Sequence, residues 1–240
     1  MPKHLFFDLD NTLTPSKAPI LPEHAPIFGR LCRESDVTVV SGHGEADIRA
    51  HLGRQFDGTY YILGQNGNRA VAKSRDVLWN NSLTQSQKDA IAAFIKKARA
   101  RLDYVVRDEN DIIDDRDSQI AFSLIGHHED RAKKLAFDPE HKIRLKLLAD
   151  MSDDVEKLRK ANVEVRSGGT TVLDFFELGK NKGHNVAKFI KAMDWDKSDC
   201  VYVGDALFPG GNDETVIGVI PTHAVKDPRD TFAYVASVLS

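Results

Sequence analysis

Asp8 and Asp10 stand two residues apart in the string FFDLDNTLTP, residues 6–15. Two carboxylates this close repel each other unless something positive lies between them. The apolar residues before Asp8 read as a short buried strand. That places Asp8 at its carboxyl end and Asp10 on the loop that follows. A second apolar run, DCVYVGD at residues 199–205, also ends on an acid, Asp205; a third, DVTVVSG at residues 36–42, ends on Ser41 and Gly42. In an open parallel sheet, ligands bind beyond the carboxyl ends of the strands, and Gly204 lets a backbone approach closely there. Asp8, Asp10 and Asp205 would then converge on one sheet edge. Three such carboxylates supply the oxygen donors of a hard cation, most often Mg²⁺ where phosphate also binds. An isolated D-x-D string is also an ordinary turn after a strand. The second acid-terminated strand, far along the chain, argues against that simpler reading.

The elements that must hold these residues follow from periodicity and punctuation. Helices are expected over residues 23–34, with Ile27, Phe28 and Leu31 on one face, and over 45–53, stopped by Gly53. With the strands this gives strand–helix–strand–helix, the alternation of a parallel sheet. The rhythm then changes. Residues 59–73 read as paired strands around Asn66-Gly67, a tight-turn dipeptide. Thr84 and Gln87 have capping-box spacing before the stripe Ile91, Phe94, Ile95, Ala98 and Leu102. Short strands are expected at DYVVR (103–107), 118–126, 162–169 and 171–178. Asp138-Pro139 opens a further helix with the stripe Ile143, Leu147, Met151, Val155 and Leu158. The first rhythm returns with a helix at 182–193, the strand ending at Asp205, a strand at 216–220 and a helix at 227–239. An α/β core, a Rossmann-like doubly wound parallel sheet made of residues 1–81 and 178–240, is thus expected to carry an inserted α+β module at 82–177.

Composition narrows the function. The 240 residues are 41% hydrophobic and 29% charged, with a formal net charge of −3. There is no basic excess for a nucleic-acid backbone and no polybasic membrane patch. Cys32 and Cys200 lie far apart and outside any C-x-x-C spacing, as expected of reduced thiols in a cytoplasmic protein. Leu5-Phe6-Phe7 is too short an apolar run for a signal peptide or membrane span. His127 and His128 are adjacent, so their side chains diverge and do not make a metal site.

Several strings together resemble the haloacid dehalogenase-type phosphotransferases. FFDLDNTLT is similar to their first motif, VVSG with Ser41 to the second, Lys182 to the third, and VGDALFPGGND (203–213) to the fourth. The inserted module stands where that family places its C2-type cap. Within the family, GDALFPGGND, the segment 124–151 and SGGTTVLDFF (167–176) resemble the α-phosphomannomutase branch. The resemblance implies Asp8 as the nucleophile that forms an aspartyl-phosphate. Asp10 would be the general acid and base. Mg²⁺ would be held by the Asp8 side chain, the Asp10 carbonyl and Asp205. Lys182 would face the transferring phosphoryl, Ser41 and Gly42 would contact a phosphoryl oxygen, and Asn212 and Asp213 would support the metal or Lys182. In the module, Arg116 and Arg131 match arginines that grip the distal phosphate of a sugar, as suits a guanidinium fork. Asp174 matches a residue that contacts sugar hydroxyls. Lys17 falls where the branch carries an arginine. The partner implied is a small phosphorylated sugar, and caps pair in that branch, which allows a homodimer.

Departures from the branch matter. His127 replaces a third phosphate-gripping arginine, Val172 a cap serine, and Val219 an acid of a second, monovalent-cation site. Ser41 stands where the mutases have glycine. A mutase must retain a bisphosphorylated sugar while it turns over, and must keep water from the aspartyl-phosphate. Each charge-assisted bond lost there costs about 1.5–3 kcal/mol. By that argument the expectation is a sugar-phosphate phosphatase, with a phosphomannomutase as the alternative. A non-catalytic sugar-phosphate-binding protein is a third reading, against which the intact set Asp8, Asp10, Lys182 and Asp205 speaks.

Overall fold

The computed structural model describes residues 2–240. The chain forms two compact units: residues up to Asn80 together with Lys180–Ser240, and Asn81–Gly179 between them.

The first unit holds β1 (His4–Phe7), α1 (Ala25–Glu34), β2 (Asp36–Val40), α2 (Glu45–Leu52), β3 (Tyr61–Gly64), β4 (Arg69–Val71) and β5 (Val77–Asn80). The second holds α3 (Gln85–Arg99), β6 (Ile113–Asp115), β7 (Gln119–Ser123), α4 (Arg131–Phe137), α5 (Lys142–Asp150), α6 (Ser152–Lys160), β8 (Val163–Gly168) and β9 (Val172–Glu177). The chain then returns to the first unit with α7 (Lys182–Ala192), β10 (Cys200–Gly204), β11 (Thr222–Ala224) and α8 (Pro228–Val238).

The core sheet has seven strands in the order β11-β10-β1-β2-β3-β4-β5. The first four neighbour pairs in that order are parallel; β3–β4 and β4–β5 are antiparallel. Both faces are covered, so the strands read as apolar runs rather than alternations. Alternate residues of β1 serve opposite layers. Leu5 and Phe7 pack with Phe28, Leu31, Ile48, Phe232 and Val235 on the α1, α2 and α8 side. Phe6 packs with Val186, Phe189 and Ile190 of α7 on the other. From β1 the chain passes to β2 on one side, while β10 pairs on the other. This is a topological switch point, and its crevice opens beyond the carboxyl ends of β1 and β10.

The inserted unit has a four-stranded antiparallel sheet, β6-β7-β9-β8. Ile120, Phe122, Leu173, Phe175 and Val163 form one core with Ile91, Phe94 and Ile95 of α3 and with Leu147 and Leu158. Thr84 and Gln87 close a reciprocal capping box at the start of α3. The architecture is a Rossmann-like core with an inserted C2-type cap.

The structure departs from expectation in four places. Residues 103–107 form no strand; the ladder on that side of β7 is made by β6 instead. Residues 216–220 are not a strand either. Gly218 turns there with φ +83°, and the ladder beside β10 is made by β11, Tyr202 opposite Thr222. The helix expected from Asp138-Pro139 starts later, at Lys142, after His141 in the left-handed region at φ 59°. Asp138 still caps it, accepting from the N–H groups of Ile143 at 3.0 Å and Arg144 at 3.2 Å. The stripe expected on one helix is shared by α5 and α6, which break at buried Met151. There α6 is drawn to α3, where Lys97 Nζ meets Asp154 at 2.6 Å.

Candidate active site

Parallel pairing sets the site. Phe7 lies opposite Val203, and the Asp8 N–H donates to the Val203 carbonyl at 3.0 Å. Neighbouring strands run about 4.8 Å apart, so the residues that follow β1 and β10, Asp8 and Asp205, come side by side. One carboxylate oxygen from each of Asp8, Asp205 and Asp213 lies within 4.8 Å of the others. Gly204 is required here: a Cβ on it would stand 2.4 Å from Asp213 Oδ2.

The first residue of α7, Lys182, is 1% exposed. Its Nζ donates to Asp8 Oδ1 at 2.5 Å and to Asp213 Oδ1 at 2.7 Å. Burial would lower its pKa, but the Asp213 and Asp8 charges outweigh that and raise it. The helix start is pinned from several sides. The Asn181 side chain caps it by accepting from His184 N–H. The Gly183 N–H donates to Thr215 Oγ1 at 3.0 Å. The Lys180 carbonyl accepts from both Asn68 Nδ2 and Asn185 Nδ2, at 3.0 and 2.9 Å. Asn185 Nδ2 also donates to the Asn66 carbonyl, and Asn66 N–H donates to the Ser41 carbonyl at 2.8 Å. The positive-φ turn at Asn66-Gly67 thus links the Ser41 strand end to the Lys182 helix.

Three carboxylates facing one ammonium leave an excess of negative charge. Burial pushes the Asp8 carboxyl well above its ordinary value, against the pull of Lys182. Burial, then the charge of Asp213, lift Asp205 to about 7. Asp213 is fully engaged: Lys182 and the Tyr202 hydroxyl, at 2.6 Å, both donate to Oδ1, and Ala206 N–H donates to Oδ2. Asp205 accepts from Thr12 Oγ1 at 3.3 Å. Acid oxygens in excess over cations fit a divalent cation with oxygen ligands. Such an ion, when bound, would neutralise these carboxylates.

Asp10 stands apart from that carboxylate group. Its Oδ1 accepts from Lys17 N–H at 2.7 Å and its Oδ2 from His43 Nε2 at 2.8 Å. Burial would raise its pKa, yet the His43 imidazole and the Lys17 N–H hold it well below the usual carboxylate range. Lys17 itself is exposed, in the left-handed region at φ 52°. Ser41 is buried, and its hydroxyl oxygen accepts from His43 N–H at 3.1 Å, which leaves the O–H to donate elsewhere. Gly42 follows it in the same loop, and Asn212 is half-buried beside Asp213.

In the inserted unit, Asp114, Ala121, Asp174 and Arg166 form one row across the sheet. Asp174 accepts from Gln119 Nε2 at 2.8 Å, and Gly168 leaves it room, since a Cβ there would stand 2.2 Å from Asp174 Oδ2. Arg116 Nε donates to Asp114 at 2.7 Å, and His127 Nε2 lies 3.2 Å from the Ala121 carbonyl. Arg116, His127 and Asp174 are therefore tied to the same row. Exposed Arg131 opens α4.

Sequence reasoning missed His43, Tyr202 and Asn185. His43 directly follows the Ser41-Gly42 pair that closes β2. Tyr202 is a polar-tipped residue inside an apolar strand, on the parity of Gly204 rather than of Val201 and Val203. Asn185 lies one helical turn after Lys182.

Among the described residues, no helix is long and apolar enough to cross a membrane. The chain is 26% identical to a phosphomannomutase of Triticum aestivum, covering 97% of this chain and 93% of that one. It is equally identical to a phosphomannomutase of Spinacia oleracea, over 94% and 91%. Among solved structures, an IMP-bound mutant of the Plasmodium falciparum IMP-nucleotidase superposes with a TM-score of 0.73 at 14% identity, covering 98% of this chain and 66% of that one. A hydrolase from Bacteroides thetaiotaomicron superposes with a TM-score of 0.60 at 15% identity, over 98% and 99%. The family model of the haloacid dehalogenase-like hydrolases matches residues 5–213. With its acid-ended β1 and β10 and its inserted cap, the chain belongs to the haloacid dehalogenase-like hydrolases.

Proposed function

We propose that the chain is a Mg²⁺-dependent phosphotransferase of hexose phosphates that works through an aspartyl-phosphate on Asp8, and that it interconverts the 1- and 6-phosphates as a phosphomannomutase does. The observation that carries the phosphotransferase reading is the group of buried Asp8, Asp213 and Lys182 with half-buried Asp205 at adjacent strand ends, with acids in excess. Asp8 attacks phosphorus, and the Lys182 ammonium offsets the charge that builds on the phosphoryl oxygens. The Asp8 and Asp205 carboxylates and the Asp10 carbonyl would hold Mg²⁺, which would supply positive charge to the phosphoryl. Asp213 holds Lys182 and Tyr202 in place. Asp10, whose two oxygens both accept hydrogen bonds, is set to take the proton of an incoming sugar hydroxyl and return it to the next leaving oxygen. Ser41 and Gly42 bind a phosphoryl oxygen.

The mutase outcome draws its support from the near full-length likeness to phosphomannomutases. Two specific residues favour a second reading, a sugar-phosphate phosphatase: His127 in place of an arginine and Ser41 in place of a glycine. One experiment separates them. The protein is incubated with Mg²⁺, mannose 1-phosphate and a trace of hexose 1,6-bisphosphate. The mutase reading expects hexose 6-phosphate; free sugar and inorganic phosphate would replace it by the phosphatase reading. No turnover, with no difference between wild type and Asp8→Asn, would overturn both.

A further inference from the structure

We propose that His43 is a positioning residue for Asp10, fixing the orientation in which Asp10 exchanges a proton with the reacting oxygen; this rests on the phosphotransferase reading above. The Asp10 carboxylate is held at both ends. Lys17 N–H reaches Oδ1 at 2.7 Å, and the His43 imidazole reaches Oδ2 at 2.8 Å. The backbone donor fixes one oxygen and the imidazole fixes the other, so without His43 the carboxylate plane could turn about its contact with Lys17. Each carboxylate oxygen has two acceptor positions. A lone pair thus remains for the reacting oxygen while the two donors fix the angle at which it is offered.

His43 is itself anchored. Its carbonyl accepts from Gln65 N–H at 2.9 Å and its N–H donates to Ser41 Oγ at 3.1 Å. Its ring stands edge-on to His51 at 5.3 Å, and its Nδ1 faces Asp47 Oδ2 at 3.7 Å, too far for a direct hydrogen bond. The side chain is only 13% exposed. One residue therefore joins the loop after β1 to the loop after β2: its backbone orients the Ser41 hydroxyl and its ring orients Asp10. A histidine placed for packing alone would not need both.

The test uses leaving-group chemistry. A sugar alkoxide needs a proton as it leaves, whereas p-nitrophenolate leaves without one. Single-turnover rates are measured with Mg²⁺ and enzyme in excess, on a hexose 1-phosphate and on p-nitrophenyl phosphate. His43→Ala is expected to slow the sugar reaction about tenfold to hundredfold, a fraction of the usual worth of general acid–base catalysis. Nitrophenolate release should stay within about threefold. His43→Gln, which keeps an N–H donor, should recover most of the sugar rate; a purely structural role would not show this selective rescue. Equal loss on both substrates, no loss, or no recovery with glutamine would overturn the proposal. Asp10→Asn should show the same dependence on the leaving group, and its failure to do so would overturn the role of Asp10 and this inference with it. Asp8→Asn should abolish both reactions. Turnover surviving in that variant would count against the aspartyl-phosphate reading rather than against His43.

Discussion

Each unit buries a basic side chain against acid, and the two do so differently. In the inserted unit, Arg144 is 0% exposed and all three of its guanidinium nitrogens donate. Nε donates to Asp138 Oδ2, Nη2 to the Asp138 carbonyl, and Nη1 to the carbonyls of Gly168, Gly169 and Val172. One cation meets one anion, and the remaining donors end on backbone. In the core unit, Lys182 meets Asp8 and Asp213, with Asp205 close by. The Arg144 pair is closed and braces the turn between β8 and β9, just before Asp174. The Lys182 group is open: with its acids ionised, its charges balance only when a cation arrives. A buried charge pair is weak evidence of function by itself; a buried imbalance is much stronger.

The widest separation between the two should come from losing the cation in each. Lys182→Met is expected to lower turnover about 10²–10³-fold, by analogy with removal of one preorganised donor. It should also destabilise the metal-free protein, by about 3–5 kcal/mol for a broken buried pair. Because acids remain in excess, Mg²⁺ should restore part of that stability. Arg144→Leu should cost a similar 3–5 kcal/mol, and Mg²⁺ should restore none of it beyond its effect on wild type. Denaturant unfolding of both variants with and without Mg²⁺ tests this. Equal rescue of the two would erase the distinction between open and closed groups.

Dependence on pH sharpens the contrast at smaller scale. Asp205, raised to about 7 by burial and Asp213, keeps in the folded chain a proton that the unfolded chain has already released. Stability of the metal-free protein should therefore fall as pH rises from about 4 to 7 through this group. Cation binding needs the deprotonated form, so Mg²⁺ affinity should drop several-fold between pH 7.5 and 6. Titration calorimetry at the two values measures it; an affinity independent of pH would contradict the assignment. In the inserted unit the sign reverses. His141, lowered to about 4 by burial and then by Arg144, stays neutral where the unfolded chain takes up a proton. Its contribution is present above about 6.5 and lost as pH falls toward 4. His141→Asn, which tolerates the left-handed backbone, should remove about 1–2 kcal/mol of that acid sensitivity after allowance for partial exposure. Unfolding midpoints at pH 7.5 and 5 would show whether the variant loses less than wild type.

The closed and open groups were not equally legible. Asp8 and Asp205 could be read because apolar runs end on them, and strand ends of a parallel sheet share an edge. Lys182 in GKNKG could pass for a solvated lysine, and only the family resemblance gave it a role. Arg144 looks like one more charge on the polar side of a helix, since nothing local announces five carbonyl and carboxylate partners up to 28 residues away. The His43–Asp10 contact was hidden for the same reason: it spans two loops 33 residues apart. Residues 103–107 and 216–220 have strand composition, but β6 and β11 make the ladders beside β7 and β10, and pairing is a property of the whole sheet.

The Lys180 carbonyl has a mechanical consequence. It is gripped by two asparagine side chains, one after β3 and one on α7, immediately where the chain re-enters the core unit and two residues before Lys182. It works like a cleat on a rope. The two bonds fix the backbone two residues before Lys182, whose ammonium meets Asp8 and Asp213. The point where the chain re-enters the core unit and the start of α7 thus share one short, pinned stretch.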